Sequence, residues 1–520
     1  MRSILQPSLR SVFIGLCGLV IGRAEAGNIQ ITGPTLTGNT GTSALVQFNL
    51  SWESSWRGGG VNNWDAAWVF VKYRTIGGSW QHVLLNNTGH TAPAGSMIDL
   101  GLLTPGGTPW NAVTNPVVGV FVRRGADGNG TFNLTGVQLL WDYGAAGLAY
   151  NDITQVQVFA IEMVAVLQGA FAAGSGGTES SAFTLTTITT SNSSAVPGGS
   201  GSLGGQAGGY PTGQVAPNIL WPNGFNAFYC MKYEVSQQGY VDFLNTLTYA
   251  QQVTRTANAP TSAAGTPAMH STNQSRNGID VQVPGVASTT PATYACNLDG
   301  DAVFGEATDG KDIACGWMNW GDLAAYMDWS GLRPMTELEF EKACRGPLPP
   351  VANEYPWGTT GIATNPYTLA NAGASTEGIA TNYSTTLGNA NYGNTDGSID
   401  GPMRVGLFAA NGSNSGRITA GATYYGIMEM AGNQMELCVT IGAVAGRAFT
   451  GLHGNGTLSG TGDPDPAAWP SASTADGMGR RCGSWGYAAQ DLRLSERFLA
   501  SSLGGARSFE HGGRGVRSVP

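Results

Sequence analysis

The sequence predicts an all-β N-terminal sandwich followed by an α+β, loop-rich domain. Three observations carry this reading. From about Asn28 to Ile161 the chain is a series of short β-branched and aromatic runs separated by Gly, Asn and Asp turns. From Met163 onward, patterns of strict helical period are few and polar, Gly- and Ser-rich stretches interrupt them. The chain holds 78 Gly and 14 Trp in 520 residues, which points to turns and loops around aromatic cores and not to long helices.

The N-terminus reads as a secretory leader, residues 1–26. Arg2 and Arg10 form its charged region, Val12 to Ile21 its apolar stretch, and Ala24-Glu25-Ala26 an A-x-A cleavage site before Gly27. The apolar stretch is too short to span a bilayer, and no other apolar run reaches about 18 residues. Cys17 follows Leu16, where a lipoprotein signal needs a small residue. The expected mature protein is exported, to the periplasm or the cell surface, without a transmembrane segment. In the front module, 27–161, seven runs read as strands: NIQITG, ALVQFNLSW, AAWVFVKYR, GSWQHVLL, VVGVFVRR, GTFNLTGVQLLW and TQVQVFAIEM. Seven strands at such spacing suggest a sandwich, and edge strands offer a route to self-association. The module has no cluster of titratable residues, so a binding or spacer role is its default reading.

The second domain, 162–520, carries a Ser/Gly/Thr-rich insertion over 175–220, with further polar insertions at 258–293 and 451–479. Gln237 to Ala250 and Trp320 to Ser330 are amphipathic helix candidates. The clearest helix follows the turn Gly331-Leu332-Arg333-Pro334. Thr336 is a good N-cap, Glu339 three residues later completes a capping box, and Glu337, Glu339 and Glu341 suit the positive end of the helix dipole.

Charged residues make up 11% of the chain and the net charge is −9, with no basic patch interleaved with aromatics. Nucleic acid is therefore excluded as a partner class. Six cysteines follow the leader: Cys230, Cys296, Cys315, Cys344, Cys438 and Cys482. An even number in an oxidising compartment allows disulfides, and burial as small apolar residues is the alternative. There is no C-x-x-C, G-x-S-x-G, H-E-x-x-H or phosphate-binding loop.

The segment GLRPMTELEFEKACRG (Gly331 to Gly346) resembles the "RLPTEAEWEKACRG" block of the formylglycine-generating enzyme, or sulfatase-modifying-factor, family. Other blocks follow in family order. MVAVLQGAFAAG from Met163, YCMKYEVSQQGYVDFLNTLT from Tyr229, WMNWGDLAAYMDWSGLRP from Trp317, YPWG from Tyr355 and YYGIMEMAGNQMEL from Tyr424 each have a family counterpart. CGSWGY from Cys482 and GGRGVRSV from Gly512 close the series. The resemblance implies a variant C-type-lectin-like fold over 162–520, low in secondary structure and often stabilised by calcium.

It also implies a chemistry to look for. Family oxidases hold Cu(I) through two cysteines in a GGSxxCxxxxC pattern, soft thiolates that select the monovalent ion. Here those two positions are Tyr487 and Leu492; Ser484 matches the motif serine, and Cys482 stands at its first glycine. Met435 and Leu437 replace both tryptophans of the family's "WEW". Copper is therefore not expected. A second branch uses iron on a three-histidine motif, but His82, His90, His270, His453 and His511 form no H-x-x-x-H or similar pair. Calcium needs several oxygen donors on loops. The resemblance places one such site at Asn371 with Asp396, and another at Glu429 and Glu436 with the carbonyls of Gly432 and Gln434. In so charge-poor a chain Arg333, Arg345, Arg497 and Arg517, with Glu337 and Glu339, read first as bidentate structural pairs. The function this favours is an exported, non-catalytic binding or structural/assembly module whose partner is a protein or glycan at the cell surface. The alternatives are an oxidoreductase acting on cysteine of a protein substrate, and an envelope accessory protein of a secretion or gliding machinery.

Overall fold

Strand β8 (Ile153–Val166) pairs along most of its length with one strand of the front module and at its end with the first long-range strand of the second. It therefore runs through the expected boundary at 161/162 and belongs to both parts. The computed structural model describes residues 28–192, 219–270, 274–393, 399–500 and 505–519. The expected leader, residues 193–218 of the insertion and Asp396 lie outside the described residues. No helix among the described residues is long and apolar enough to cross a membrane.

The strands before β8 are β1 (Gln30–Thr37), β2 (Ala44–Gly58), β3 (Asn63–Thr75), β4 (Trp80–His82), β5 (Ser96–Leu102), β6 (Val117–Arg124) and β7 (Gly128–Trp141). Every expected run is a strand; β5 is the addition, and its Asp99 and Gly101 hide it from a propensity reading. β2 pairs antiparallel with β1 and with β7. β3 pairs with β4, β6 and β8, and β6 with β5. A corner at Arg57↔Trp64 and Gly58↔Asn63 joins β2 to β3.

Alternating residues of β2 (Val46, Phe48, Leu50, Trp52) meet Ala67, Val69 and Val71 of β3 and Val120 and Val122 of β6 in one core. The other face of β3 and β6 is buried too. Trp68, Phe70, Val118 and Phe121, with Phe159 and Ile161 of β8, join a second core that includes Tyr326 and Trp329 of the second domain. The run Ala66 to Val71 is thus covered on both sides, which is why it is continuously apolar and not alternating.

The second domain continues with β9 (Phe171–Ala173), β10 (Thr186–Ile188), β11 (Phe228–Met231), α1 (Gln237–Leu244), α2 (Tyr249–Arg255), β12 (Ile279–Val283), β13 (Thr293–Cys296), α3 (Trp320–Trp329), β14 (Arg333–Pro334) and α4 (Glu337–Arg345). Then come β15 (Thr368–Ala370), β16 (Gly378–Thr381), β17 (Met435–Val439), α5 (Val444–Arg447), β18 (Met478–Arg481), β19 (His511–Gly512) and β20 (Gly515–Ser518). One sheet path runs β1-β2-β3-β8-β11-β20-β14, so strands of both parts share a backbone ladder. The helix candidates are present, the first divided into α1 and α2. Asn319 caps α3 and Thr336 caps α4, each in a capping box.

Polar contacts reinforce the shared sheet. Trp68 Nε1 donates to the Ser330 carbonyl (2.7 Å), Trp64 Nε1 to the Tyr229 hydroxyl (2.7 Å) and Asn63 Nδ2 to the Tyr425 carbonyl (2.9 Å). Lys72, 2% exposed, donates to the carbonyls of Trp329 (2.7 Å) and Gly456 (2.5 Å). A spacer joined by a hinge would bury no such groups between its parts. These contacts tie the front module to the second domain along the shared sheet.

Candidate functional site

The block around α4 is an interior ion-pair network. Every residue of α4 is buried, its charged ones included. Arg333 holds Glu339 bidentately (2.8 and 2.6 Å) while the same carboxylate accepts the Thr336 N–H to complete the cap. Glu337 accepts Nε and Nη2 of Arg497 (both 3.1 Å), the Thr440 hydroxyl (2.9 Å) and the Ile441 N–H (3.1 Å). Arg481 lies 3.0 Å from Glu341 and 3.6 Å from Glu337, and Arg345 joins Glu354 (2.6 Å) and Glu341 (3.2 Å). Arg517 donates to the carbonyls of Gly331 and Leu102 and lies over the Trp68 ring. These charges bind one another and the backbone, which is a structural use of the motif.

Of the two residues expected to stand where the family has its copper cysteines, Leu492 is fully buried and Tyr487 is half-buried beside Phe498. Ser484 donates to Glu510 (3.1 Å) and accepts the Gly486 N–H. Cys482 is buried, and its thiol donates to the Leu492 carbonyl (3.1 Å). Burial pushes that thiol well above its ordinary value, so it stays protonated. Its backbone is left-handed, φ 64°, where the family motif has glycine; a side chain has been accepted at a conformation that favours none. Cys344 shares the same buried cluster, and burial raises its thiol as well. All six mature cysteines are buried, and Cys230, Cys296, Cys344, Cys438 and Cys482 are free thiols.

The histidines are built into the fold. His453 sits between the Leu102 carbonyl and the Ser518 N–H, a neutral ring using both nitrogens. His82 bonds the Val118 carbonyl, His90 the Asn86 carbonyl and His270 the Asn277 carbonyl, and His511 bonds Arg480. Burial lowers the pKa of each.

Of the residues expected to hold calcium, Asn371 is exposed in the β15–β16 turn with its amide on the Thr376 carbonyl. Glu429 and Glu436 are buried. Glu429 Oε1 accepts the Gly406 N–H (3.0 Å) and Glu436 Oε1 accepts Arg514 Nε (2.5 Å). Arg514 also donates to the carbonyls of Met428 and Glu429. A third carboxylate is close by: Glu234 accepts the Gln434 N–H (2.8 Å) and the Asn433 amide (2.5 Å). Burial pushes Glu429 up to about 7 and raises Glu234 and Glu436, which Arg514 opposes. Glu429 Oε2, Glu436 Oε2 and Gln434 Oε1 are buried without a hydrogen-bond partner among the described residues. The Gln434 amide nitrogen is likewise buried without a partner among the described residues, so the block holds several unpaired polar atoms of both kinds.

A cleft of ≈ 1530 Å³ lies between the module and the domain, away from Tyr487 and Leu492. Its walls include Trp56 of β2, Tyr424 and Tyr425, with Asp242, Arg404 and Arg417. Sequence reading missed it, because β1–β2 and the 404–428 segment meet only in the folded chain.

A glycine- and aromatic-rich α+β domain wired by buried Arg–Glu pairs, with a β module sharing its sheet, defines an elaborated member of the formylglycine-generating-enzyme class. Residues 157–474 match the family of the Sulfatase-modifying factor enzyme 1-like domain, and the chain belongs to that family. The match begins inside β8 and stops before Cys482. No curated protein matches the chain significantly.

Proposed function

We propose that this is an exported protein whose sulfatase-modifying-factor domain has lost copper oxidase chemistry and serves as a binding module at the cell surface, with the cleft receiving a protein or glycan. The observation that carries the reading is the donor set. A phenol at 487 and an isobutyl group at 492 do not supply the soft thiolates that hold Cu(I), and the neighbouring Cys482 thiol is committed to a carbonyl. The aromatic and charged walls of the cleft suit peptide or sugar. In fold terms this reading makes the front module a sandwich and the domain C-type-lectin-like. It also gives the 429–436 block a structural calcium ion, and the Arg2-to-Ala26 leader predicts a mature chain beginning at Gly27.

Cu(I) titration against a chromogenic chelator, with oxygen uptake on a cysteine-containing peptide, tests it. The chelator should keep the copper and oxygen uptake should stay at background; tight copper binding with peptide oxidation would reverse the conclusion. The second reading, an oxidoreductase on protein cysteine, draws on one observation: Cys344 lies near Cys482 in a common cluster. Cys344→Ser would abolish oxidation under that reading and change no activity under ours.

A further inference from the structure

The loop after β13 gathers carboxylates for which the fold provides no cation. Asp299, Glu306 and Asp309 bring one oxygen each to within 4.8 Å of one another. Asp301 adds a fourth negative charge, and it and Asp299 act on both Glu306 and Asp309. No Lys, Arg or His among the described residues forms a salt bridge to any of the four. Asp299 and Glu306 are exposed, so repulsion between them alone would be tolerated in water.

Asp309 is the decisive member. It is 3% exposed, and its two oxygens differ. Oδ2 accepts the N–H groups of Gly305 (2.6 Å) and Glu306 (2.7 Å). Oδ1 is enclosed with no donor in reach among the described residues. A buried carboxylate oxygen without a donor leaves its lost hydration uncompensated unless something positive meets it. The loop shape does not depend on that partner. Asn297 anchors it through Asp280 (2.7 Å) and the Ala302 N–H (3.1 Å), and the Leu298 N–H bonds the Asp309 carbonyl (3.2 Å), closing the loop at its base. Thr308 holds Asp299 (2.5 Å) toward the others. The donors are preassembled.

We propose that Asp299, Glu306 and Asp309 form a divalent-cation site of the calcium class on the rim of the cleft. All donors are hard oxygens, with no imidazole or thiolate to favour zinc or copper. Two of the three are exposed, which leaves room for water in an irregular shell; calcium accepts this, whereas magnesium demands near-octahedral geometry. Gly305, Glu306 and Asp309 also line the cleft. The bound ion converts an acidic rim into a Lewis-acidic one facing the cleft, suited to oxygen-rich ligands such as vicinal hydroxyls or carboxylates. The site is separate from the Glu429–Glu436 block and does not depend on it.

The test is calorimetric titration of calcium chloride into the chelator-stripped mature chain. Asp299→Asn/Glu306→Gln changes only exposed side chains, so its melting point in chelator should equal wild type. We expect wild type to bind in the roughly 10⁻⁴–10⁻³ M range of extracellular sites. The double variant should lose one calcium equivalent or bind it at least tenfold more weakly, and Glu429→Gln should retain it. An unchanged isotherm in the double variant overturns the proposal, as does a wild-type chain that takes up no calcium at roughly 10 mM, well above that range. A titration lost in Glu429→Gln but kept in the double variant would place the ion in the interior block and overturn it too.

Discussion

Glu337→Gln tests whether the most recognisable block of the chain is structural wiring. The native carboxylate is 0% exposed, receives four hydrogen bonds, two of them from Arg497, and lies 3.6 Å from Arg481. Glutamine keeps the shape but turns an amide donor toward two guanidinium groups, leaving Glu341 as the carboxylate within reach of Arg481. Breaking one partner of a buried ion pair costs roughly 3–5 kcal/mol, far more than an exposed pair is worth. At about 2.1 cal/mol/K per residue, unfolding 520 residues as one unit has an entropy of about 1.1 kcal/mol/K, so the midpoint should fall by roughly 3–5 °C. Scanning calorimetry reads this directly. The double variant with Arg497→Met should be less destabilised than the sum of the singles, because the second change removes the cation whose carboxylate partner the first has already replaced. A midpoint shift under about 1 °C, well below the cost quoted for a broken buried pair, or full additivity, would show that the network is not coupled as argued.

Three further outcomes are expected. A chain starting at Glu162 should fail to give near-ultraviolet circular dichroism of a packed core, since it lacks β3 and exposes Trp329, Tyr229 and the open edge of β8; a cooperative melt from that chain would refute the integral-module reading. Asp328 is pushed up to about 7 by burial, so the folded chain holds a proton that the unfolded one releases; its contribution is present below about pH 4 and lost as pH rises through about 7. Asp328→Asn should therefore gain stability relative to wild type between about pH 5 and pH 8 in urea titrations, and a gap independent of pH would count against the shift. Chelation with EGTA should lower the melting midpoint if the oxygens of Glu429, Glu436 and Gln434 hold calcium, and Glu429→Gln should blunt that response; equal melts with and without EGTA would remove the ion from this block.

Local order was legible in the residues. The capped helix at Thr336, the helix at Trp320 and the seven front strands follow from capping chemistry and period, which act over a few neighbours. Membership of the family followed from blocks in order. Other features depend on distant residues meeting. Glu337 finds Arg497 across 160 positions, and Asn63 finds Tyr425 across 362. The continuous run Ala66 to Val71 does carry a hint that both faces of β3 are covered, yet nothing in it names what covers them. By itself, then, the sequence determined the elements, the family and the donor atoms on offer. The tertiary structure alone decided that two parts share one sheet, that a cleft opens between them and that Asp309 keeps one buried oxygen without a donor among the described residues, because burial and distance are properties of the assembled chain.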